Sequence, residues 1–129
     1  METISEYSRR QAIEDGILVD MTQEPFGAMA KEAGVRWPIA MTATAFHQYV
    51  ELTEATKQAG NDIKGRWWDV VWMYRCAVGR SREQSNELLF QFYCVTDNPS
   101  TPELVTLKAV AGPGDDGRPC LTFMLPDED

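Results

Sequence analysis

The strongest constraint on the fold of this chain is an almost uninterrupted apolar segment near its middle, residues 66–78. It includes Trp67, Trp68 and Trp72, and Asp69 and Arg75 are the only charged residues after its first position. A helix with so little polar surface normally packs against other elements on more than one side. The segment therefore predicts a long, buried central helix.

A change of periodicity follows this helix. After a polar turn at residues 81–87, apolar and polar residues alternate in three segments, which is typical of half-buried strands. The predicted strands cover residues 88–95, 103–111 and 119–125. Their connections, residues 97–102 and 112–117, are short and rich in turn-forming residues, which favours an antiparallel meander. We expect the central helix to pack on this three-stranded sheet.

The N-terminal half mixes short helices with short strands. Ser8 and either Thr42 or Thr44 are suitable helix caps, and Gly34 suits a helix C-terminus. The predicted elements are a helix over 8–14, a strand over 17–21, a helix over 26–33, an extended segment over 35–41, a helix from 42 to about 52, and a polar loop over 53–64. The expected fold class is α+β in a single domain over residues 1–129, with a mixed N-terminal half and a long buried central helix packed on a C-terminal three-stranded antiparallel meander.

Composition and charge exclude several classes of protein. A hydrophobic content of 43% is that of a folded chain and not of a disordered one. The net charge of −8 repels a phosphate backbone, so direct nucleic-acid binding is not expected. The N-terminus is acidic and lacks the pattern of a signal peptide, and no apolar run approaches the ~20 residues of a membrane helix. We therefore expect a cytoplasmic protein that does not enter the membrane.

Residues that commonly carry chemistry are sparse. Cys76, Cys94 and Cys120 are widely spaced, so they form no zinc half-site and are expected to be reduced thiols. His47, the only histidine, lies in no recognised nucleophile pattern. The glycine-rich segment 112–117 suits a hairpin turn better than a phosphate loop or a metal site. We expect no catalytic residue, no metal and no cofactor.

Charge is unevenly distributed along the chain. Between residues 64 and 82 five basic side chains stand against one acid, and acids collect toward both ends. One stripe of the predicted central helix carries most of its polar atoms and is expected to face water or a partner: Arg66, Asp69, Met73, Cys76 and Arg80. Two interpretations stay open, namely salt bridges within the molecule, and an acidic face that steers onto a basic partner, including mimicry of nucleic acid. The tryptophans of the central segment could belong to the core, which is the commoner use, or to a recognition surface, and both interpretations stay open.

Several segments carry a family resemblance that extends over nearly the whole chain. They are residues 10–20, 30–34, 38–42, 65–73, 106–108, 112–117 and 124–126. Together they resemble a small family of uncharacterised proteins that is common on plasmids, phages and other mobile elements of bacteria. The chain departs from the pattern at Phe46 and His47, where family members are expected to carry a tryptophan at or beside this position. The resemblance implies a genetic setting and transfers no catalytic residue.

That setting implies an inhibitor of host defence. Small acidic proteins of mobile elements that lack a catalytic signature often block defence systems. We therefore expect an anti-CRISPR or anti-restriction protein that binds a host nuclease or surveillance complex stoichiometrically. The expected partner-binding residues are acids of the glycine-rich loop and the C-terminus, with a second face on the central helix. They are Asp115, Asp116, Asp127, Glu128, Asp129, Arg66, Asp69 and Arg80.

Two alternatives from other classes stay open. Residues 12–18 faintly resemble the helix-to-strand entry of ADP-ribosyltransferase-like folds, which implies a small enzyme that uses NAD. The basic central segment could instead serve a DNA-maintenance accessory protein of the mobile element. Binding of NAD would favour the first alternative, and binding of DNA at moderate salt would favour the second.

Overall fold

Short helices and strands alternate in the N-terminal half, and one long helix and three longer strands follow. A computed structural model describes residues 8–58, 62–81, 85–95 and 101–128. Its elements are α1 (Arg9–Glu14), β1 (Leu18–Asp20), α2 (Phe26–Ala33), β2 (Ile39–Thr42), α3 (Ala43–Tyr49), α4 (Glu54–Gln58), α5 (Ile63–Arg80), β3 (Glu87–Cys94), β4 (Glu103–Pro113) and β5 (Pro119–Met124). The expectation of an α+β fold is confirmed.

The strands form one mixed sheet of five strands in the order β1-β2-β5-β4-β3. Strands β3, β4 and β5 are antiparallel neighbours, as the predicted meander requires, but the sheet does not end at β5. Strand β2 pairs with β5 in parallel, with Ile39 opposite Leu121, and β1 pairs with β2 antiparallel. The prediction of a three-stranded sheet is therefore wrong in its extent, because the N-terminal strands use the edge that the meander leaves open.

The central helix α5 is longer than predicted, and it packs against more than one element, as predicted, but part of its surface is exposed. Asp62 caps it by accepting a hydrogen bond from the Gly65 backbone N–H at 2.6 Å. Trp67, Val70 and Val71 are fully buried, whereas Trp72 is 44% exposed. The helix packs on β3 and beside α2, so a side that no described element covers remains open to solvent.

The core lies between α5 and the inner face of the sheet. Trp67 donates its indole N–H to the Phe26 carbonyl at 3.1 Å, and its ring lies 6.1 Å from that of Phe123. Tyr74 and Phe90 also contact Phe123, with ring centroids 5.0 and 5.2 Å away. These aromatic contacts join the helix to the middle of the sheet and fix which face of each strand is internal.

Three capping predictions in the N-terminal half are confirmed. Ser8 forms a capping box with Gln11 at the start of α1. Gly34 ends α2 with a φ of 100°, a left-handed conformation in which a side chain would be strained. Thr42 caps α3 by accepting a hydrogen bond from the Ala45 N–H at 3.2 Å. Local side-chain chemistry therefore sets these helix boundaries.

Two loop predictions have different outcomes. The segment 112–117 is a hairpin turn as predicted, since Gly114 donates to the Arg118 carbonyl at 2.7 Å and Gly117 has a φ of 81°. The polar loop expected over residues 53–64 is wrong in part, because α4 forms within it. There Thr53 and Thr56 bond each other's backbone N–H groups at 2.9 and 3.2 Å, which stabilises the first turn. Most of the predicted connection 97–102 lies outside the described residues.

Among the helices of the described ranges, none combines the length and the apolar character that crossing a membrane requires.

Candidate functional site

The sheet has an inner face under α5 and an outer face, and part of the outer face is covered. Arg9 of α1 reaches across β5, where its guanidinium donates to the Thr122 hydroxyl at 2.7 Å and to the Leu121 carbonyl. The helix also packs against β1. Helix α1 therefore covers the outer face over the part of the sheet that contains β1, β2 and β5.

Asp115 attaches this helix to the β4–β5 hairpin. Its carboxylate accepts the backbone N–H of Arg9 at 2.9 Å and that of Arg10 at 3.0 Å. These are N–H groups of the first turn of α1, which have no partner within the helix, and a negative charge there is favourable. Asp115 therefore has an internal structural role, although the sequence indicated it as a partner-binding residue.

Glu128 has a similar role in the C-terminal turn. Its carboxylate accepts hydrogen bonds from the Thr42 hydroxyl at 2.7 Å and from the Leu125 N–H at 2.8 Å. The Lys108 ammonium donates to the Glu128 backbone carbonyl at 2.6 Å. These bonds hold the turn against β2 and β4, so the Glu128 carboxylate is engaged within the molecule.

The remaining predicted acids have different positions. Asp116 is exposed and accepts the Arg118 N–H at 2.9 Å, and its carboxylate lies 3.6 Å from the Arg118 guanidinium. Asp127 is exposed in the C-terminal turn. Asp129 lies outside the described residues. Asp116 and Asp127 are therefore the acids of this set that face solvent.

The outer face over β3 and β4 carries large apolar side chains in contact with water. Tyr93 is 68% exposed and stands opposite Leu104, which is 52% exposed. Leu89 is 59% exposed on the same face, opposite Lys108. Between these pairs Gln91 donates to the Thr106 hydroxyl at 3.3 Å. We call Leu89, Gln91, Tyr93, Leu104 and Thr106 the β3–β4 surface.

A groove begins at one end of the β3–β4 surface. Its volume is about 720 Å³, and Leu89 and Lys108 belong to its lining. On its far side the groove reaches Arg80 at the end of α5 and Pro126 of the C-terminal turn. The surface thus has apolar side chains toward its two ends, the polar pair Gln91 and Thr106 between them and a concave region beside Leu89. Apolar area combined with polar groups is common in protein-binding surfaces.

Arg66 lies in the interior, although the predicted stripe of α5 was expected to face water or a partner. It is only 6% exposed, and its guanidinium donates to the backbone carbonyls of Tyr49 at 2.9 Å, Val95 at 2.8 Å and Gln48 at 3.4 Å. Two of these carbonyls belong to the last turn of α3, where a positive charge is favourable. Arg66 therefore joins α3, α5 and the end of β3, and the expectation of exposure is wrong for this residue.

Asp69 and Arg80, the other charged residues of that stripe, are exposed. Asp69 stands at a cavity of about 210 Å³ that is also lined by Tyr49, Arg66 and Cys94. Partial burial raises the pKa of the Asp69 carboxyl, and the positive charge of Arg66 opposes this shift. The cavity is smaller than the ~300–1,000 Å³ of typical small-molecule sites.

Burial also controls the two other titratable groups of this cavity. It raises the pKa of the Cys94 thiol, with a smaller lowering by Arg66, and it raises the pKa of the Tyr49 hydroxyl. Both groups are therefore protonated at neutral pH, and a protonated thiol is a poor nucleophile. Within the described ranges, no cluster of His, Cys, Asp and Glu side chains is arranged to hold a metal ion.

The comparisons with known proteins give a family but no function. The whole chain, residues 1–129, matches a family of unknown function, DUF6573. The chain belongs to this family. No curated protein and no solved structure matches it.

The tryptophans of this DUF6573 member are divided between buried and exposed positions. Trp67 is fully buried in the core. Trp68 and Trp72 stack with centroids 5.8 Å apart and planes 8° from parallel, and Trp72 is one of the exposed aromatic residues. Trp37 is also exposed. The aromatic cluster of α5 is thus divided between core and surface.

His47 of this DUF6573 member is exposed, and its Nδ1 lies 2.7 Å from the Glu51 carboxylate one helical turn away. This is an ordinary contact between residues four positions apart on a helix.

The β3–β4 surface is the feature that sequence reasoning missed. The sequence of β3 contained an indication of this surface. Leu89 and Tyr93 are odd-numbered, so they lie on the same face of the strand as Glu87 and Gln91 and on the opposite face from Phe90 and Phe92. Large apolar residues on the face of a strand that otherwise carries polar residues indicate an exposed apolar surface when no other element covers that face.

Proposed function

We propose that this protein acts by stoichiometric binding of a partner protein, and that the β3–β4 surface is its principal contact. The partner would carry apolar side chains that contact Leu89, Tyr93 and Leu104, and positive charge near them. A narrower form of the proposal names the partner as a bacterial nuclease or surveillance complex of host defence. Binding in the cytoplasm would then block the activity of that complex.

One observation carries the proposal, namely the exposure of three large apolar side chains on one face: Tyr93 and Leu104, which stand opposite each other, and Leu89 at the other end of the surface. Apolar surface of this kind is unfavourable in water by about 25 cal/mol per Å², so burying it against a partner is a source of binding energy. Tyrosine is enriched at the centres of protein interfaces because it buries a large area with few rotatable bonds. The adjoining groove offers a concave place for a partner side chain.

The negative charge of the chain supports a partner with a basic surface. The net charge is −8, Glu87 is an exposed acid in the lining of the adjoining groove, and Asp127 is an exposed acid next to Pro126, which also lines it. Attraction between this chain and a basic protein would accelerate association and would weaken as salt is added. The basic, nucleic-acid-binding surfaces of nucleases have the complementary charge.

The narrower form, with a defence complex as the partner, rests on the sequence resemblance to proteins of plasmids and phages. It is also consistent with mimicry of nucleic acid, in which carboxylates occupy a basic groove. The family assignment itself adds no activity, so this part of the proposal depends on experiment.

The test compares two variants in bacteria that carry defined restriction or CRISPR systems. Leu104→Asp places a charge in the β3–β4 surface. Ile17→Asp replaces another aliphatic residue of nearly the same exposure, 53% against 52%, outside that surface. The measurement is the plating efficiency of a targeted phage, together with co-purification of defence subunits. We expect the wild-type protein and Ile17→Asp to protect the phage and to retain the defence subunits, and Leu104→Asp to do neither.

Two results would contradict the proposal at different levels. Equal protection by Leu104→Asp and by the wild-type protein would exclude the β3–β4 surface as the contact. Absence of protection and of bound subunits against every system tested would exclude the defence-inhibitor form. Calorimetry with NAD and a gel shift with DNA test the enzyme and DNA-maintenance alternatives in the same preparation.

A further inference from the structure

The two edges of the sheet differ in how well they are protected. Strand β1 forms one edge with only three residues, whereas β3 forms the other with eight residues and pairs, among the described residues, with β4 alone. Proteins protect edge strands with Lys, Pro or a bulge, because unpaired backbone groups are a template for another strand. Strand β3 contains neither Lys nor Pro, and its one charged residue is Glu87 at the first position.

The hydrogen-bond pattern shows which backbone groups of β3 point outward. Ala111 donates its N–H to the Asn86 carbonyl at 2.7 Å, so the backbone groups of Asn86 point toward β4. Because these directions alternate along a strand, the even-numbered residues of β3 bond β4 and the odd-numbered ones point away from it. The bond from Gly114 to the Arg118 carbonyl across the β4–β5 hairpin gives the same assignment. Leu89, Gln91 and Tyr93 therefore present their backbone groups at the open edge.

We propose that a second copy of this chain pairs with β3 through that edge, in antiparallel orientation about a two-fold axis at Gln91. Each Gln91 then faces the other Gln91, and Leu89 of one protomer faces Tyr93 of its partner. The outward-pointing groups meet in pairs and form about six backbone hydrogen bonds. The two sheets become one continuous sheet of about ten strands.

Side-chain chemistry selects this register. An aliphatic residue opposite an aromatic one, and an amide opposite an amide, are favourable cross-strand pairs. A shift of the axis to Phe90 would place Leu89 opposite Gln91 and would bring Glu87 opposite Tyr93. A parallel arrangement would place the two Glu87 carboxylates side by side, whereas the proposed one holds them at opposite ends of the paired strands, roughly 27 Å apart.

This interface goes beyond the proposed function and uses different groups of the molecule. Edge pairing uses the backbone of β3, so the side chains of the β3–β4 surface remain accessible on the outer face. In the dimer the two β3–β4 surfaces adjoin across the axis and form one larger apolar area. A strand edge alone buries less than the ~800 Å² per partner of a standard interface, so we expect a reversible, concentration-dependent dimer.

Sedimentation of the full chain, with Gln91→Lys and Thr106→Lys as a matched pair, tests the proposal. Both residues lie on the outer face opposite each other, and both variants lose the same side-chain bond. In the proposed dimer, only Gln91→Lys places the lysines of the two protomers next to each other at the two-fold axis. We expect the wild-type protein and Thr106→Lys to dimerise at roughly 100 µM, and Gln91→Lys to bind its copy at least about tenfold more weakly.

A charge-swap mixture tests the register directly. Gln91→Lys and Gln91→Glu are each expected to be monomeric, and an equimolar mixture is expected to form the dimer, because opposite charges then meet at the axis. A wild-type protein that stays monomeric up to that concentration would overturn the proposal. Equal weakening by both lysine variants, or a mixture that stays monomeric, would also overturn it.

The salt dependence of self-association and that of partner binding are expected to differ, which distinguishes this proposal from the proposed function. Two copies with a charge of −8 repel each other, so self-association is expected to strengthen as salt is added. Binding to a basic partner is expected to weaken over the same range. A wild-type protein that protects the phage but stays monomeric would reject the edge pairing alone.

Discussion

The two halves of the sheet's outer face differ in composition and in what covers them. Over β1, β2 and β5 the face is covered by α1 and the C-terminal turn, which are fastened by Arg9, Asp115 and Glu128. Over β3 and β4 the face is open, and the side chains that meet the solvent there include Leu89, Tyr93 and Leu104. Charged residues hold the covered half together, and large apolar residues are exposed on the other.

This difference shows that residue type alone does not reveal which side chains are free to meet a partner. Charged residues are usually on the surface and free to meet a partner, and apolar residues usually pack inside. Here Asp115 and Glu128 are engaged in hydrogen bonds that join separate elements. Exposed apolar residues that lie together are therefore a stronger indication of a binding surface than the acids are.

The largest expected effect contrasts the two faces of β4. Leu107 is fully buried and Leu104 is half exposed in the same strand. We expect Leu107→Ala to lower the free energy of unfolding by about 3 kcal/mol, because it leaves a cavity in the core. Leu104→Ala should change it by less than about 0.5 kcal/mol. Urea denaturation of the two variants measures the difference, and equal losses would show that the outer face is covered.

The next effect concerns charges that join elements. Arg66→Met leaves the carbonyls of Gln48, Tyr49 and Val95 without their donor, so we expect a loss of about 2–3 kcal/mol. Arg80→Met, the same substitution at an exposed position of α5, should change stability by less than about 0.5 kcal/mol. Thermal denaturation followed by calorimetry measures both variants. A negligible effect of Arg66→Met would mean that these hydrogen bonds contribute little.

A smaller effect compares two of the predicted partner-binding acids. Asp115→Ala removes the acceptor of two N–H groups at the start of α1, and we expect a loss of about 1 kcal/mol. Asp127→Ala should leave stability within about 0.5 kcal/mol of wild type. Urea denaturation measures the free energy of unfolding of both variants. If Asp115→Ala were as stable as Asp127→Ala, the covered half would not depend on this carboxylate.

The smallest effect is the pH dependence due to Asp69. Its pKa is raised in the folded protein by burial, so the folded state binds the proton more tightly than the unfolded chain does. The contribution of this proton to stability is fully present below the usual carboxyl pKa, near ~4, and is lost as pH rises from there through the higher pKa of the folded protein. We expect Asp69→Asn to be slightly more stable than wild type at pH 7 and to lose this advantage at pH 3.

Melting temperatures of the two proteins across this pH range test the sign. A less stable Asp69→Asn at pH 7 would show that attraction to Arg66 outweighs the cost of burial.

Much of the local structure could be predicted because it depends on neighbours in the chain. The predicted caps at Ser8, Gly34 and Thr42 are all present, since each cap bonds groups within three or four residues of itself. The alternation of β3 and β4 follows from the two-residue repeat of a strand. The start of α5 was missed because the segment before it is polar, and the cap Asp62 was read as part of a loop.

The candidate site was less predictable because it depends on contacts between distant segments. The stripe that contains Arg66 and Asp69 follows from helical geometry, but the carbonyls that surround Arg66 come from α3 and the end of β3. Asp115 lies more than a hundred positions from the helix it caps. No local pattern distinguishes such a carboxylate from an exposed one.

By itself, the sequence determined the order of the helices and strands other than α4, several of their ends, and which residues along a strand share a face. These follow from backbone geometry and from hydrogen bonds between near neighbours. The tertiary structure alone decided that β2 joins β5, that Arg66 is internal and that the outer face over β3 and β4 is open. Whether a face or a charge is covered depends on which distant segments pack against it, and a periodic pattern in one strand or helix does not contain that information.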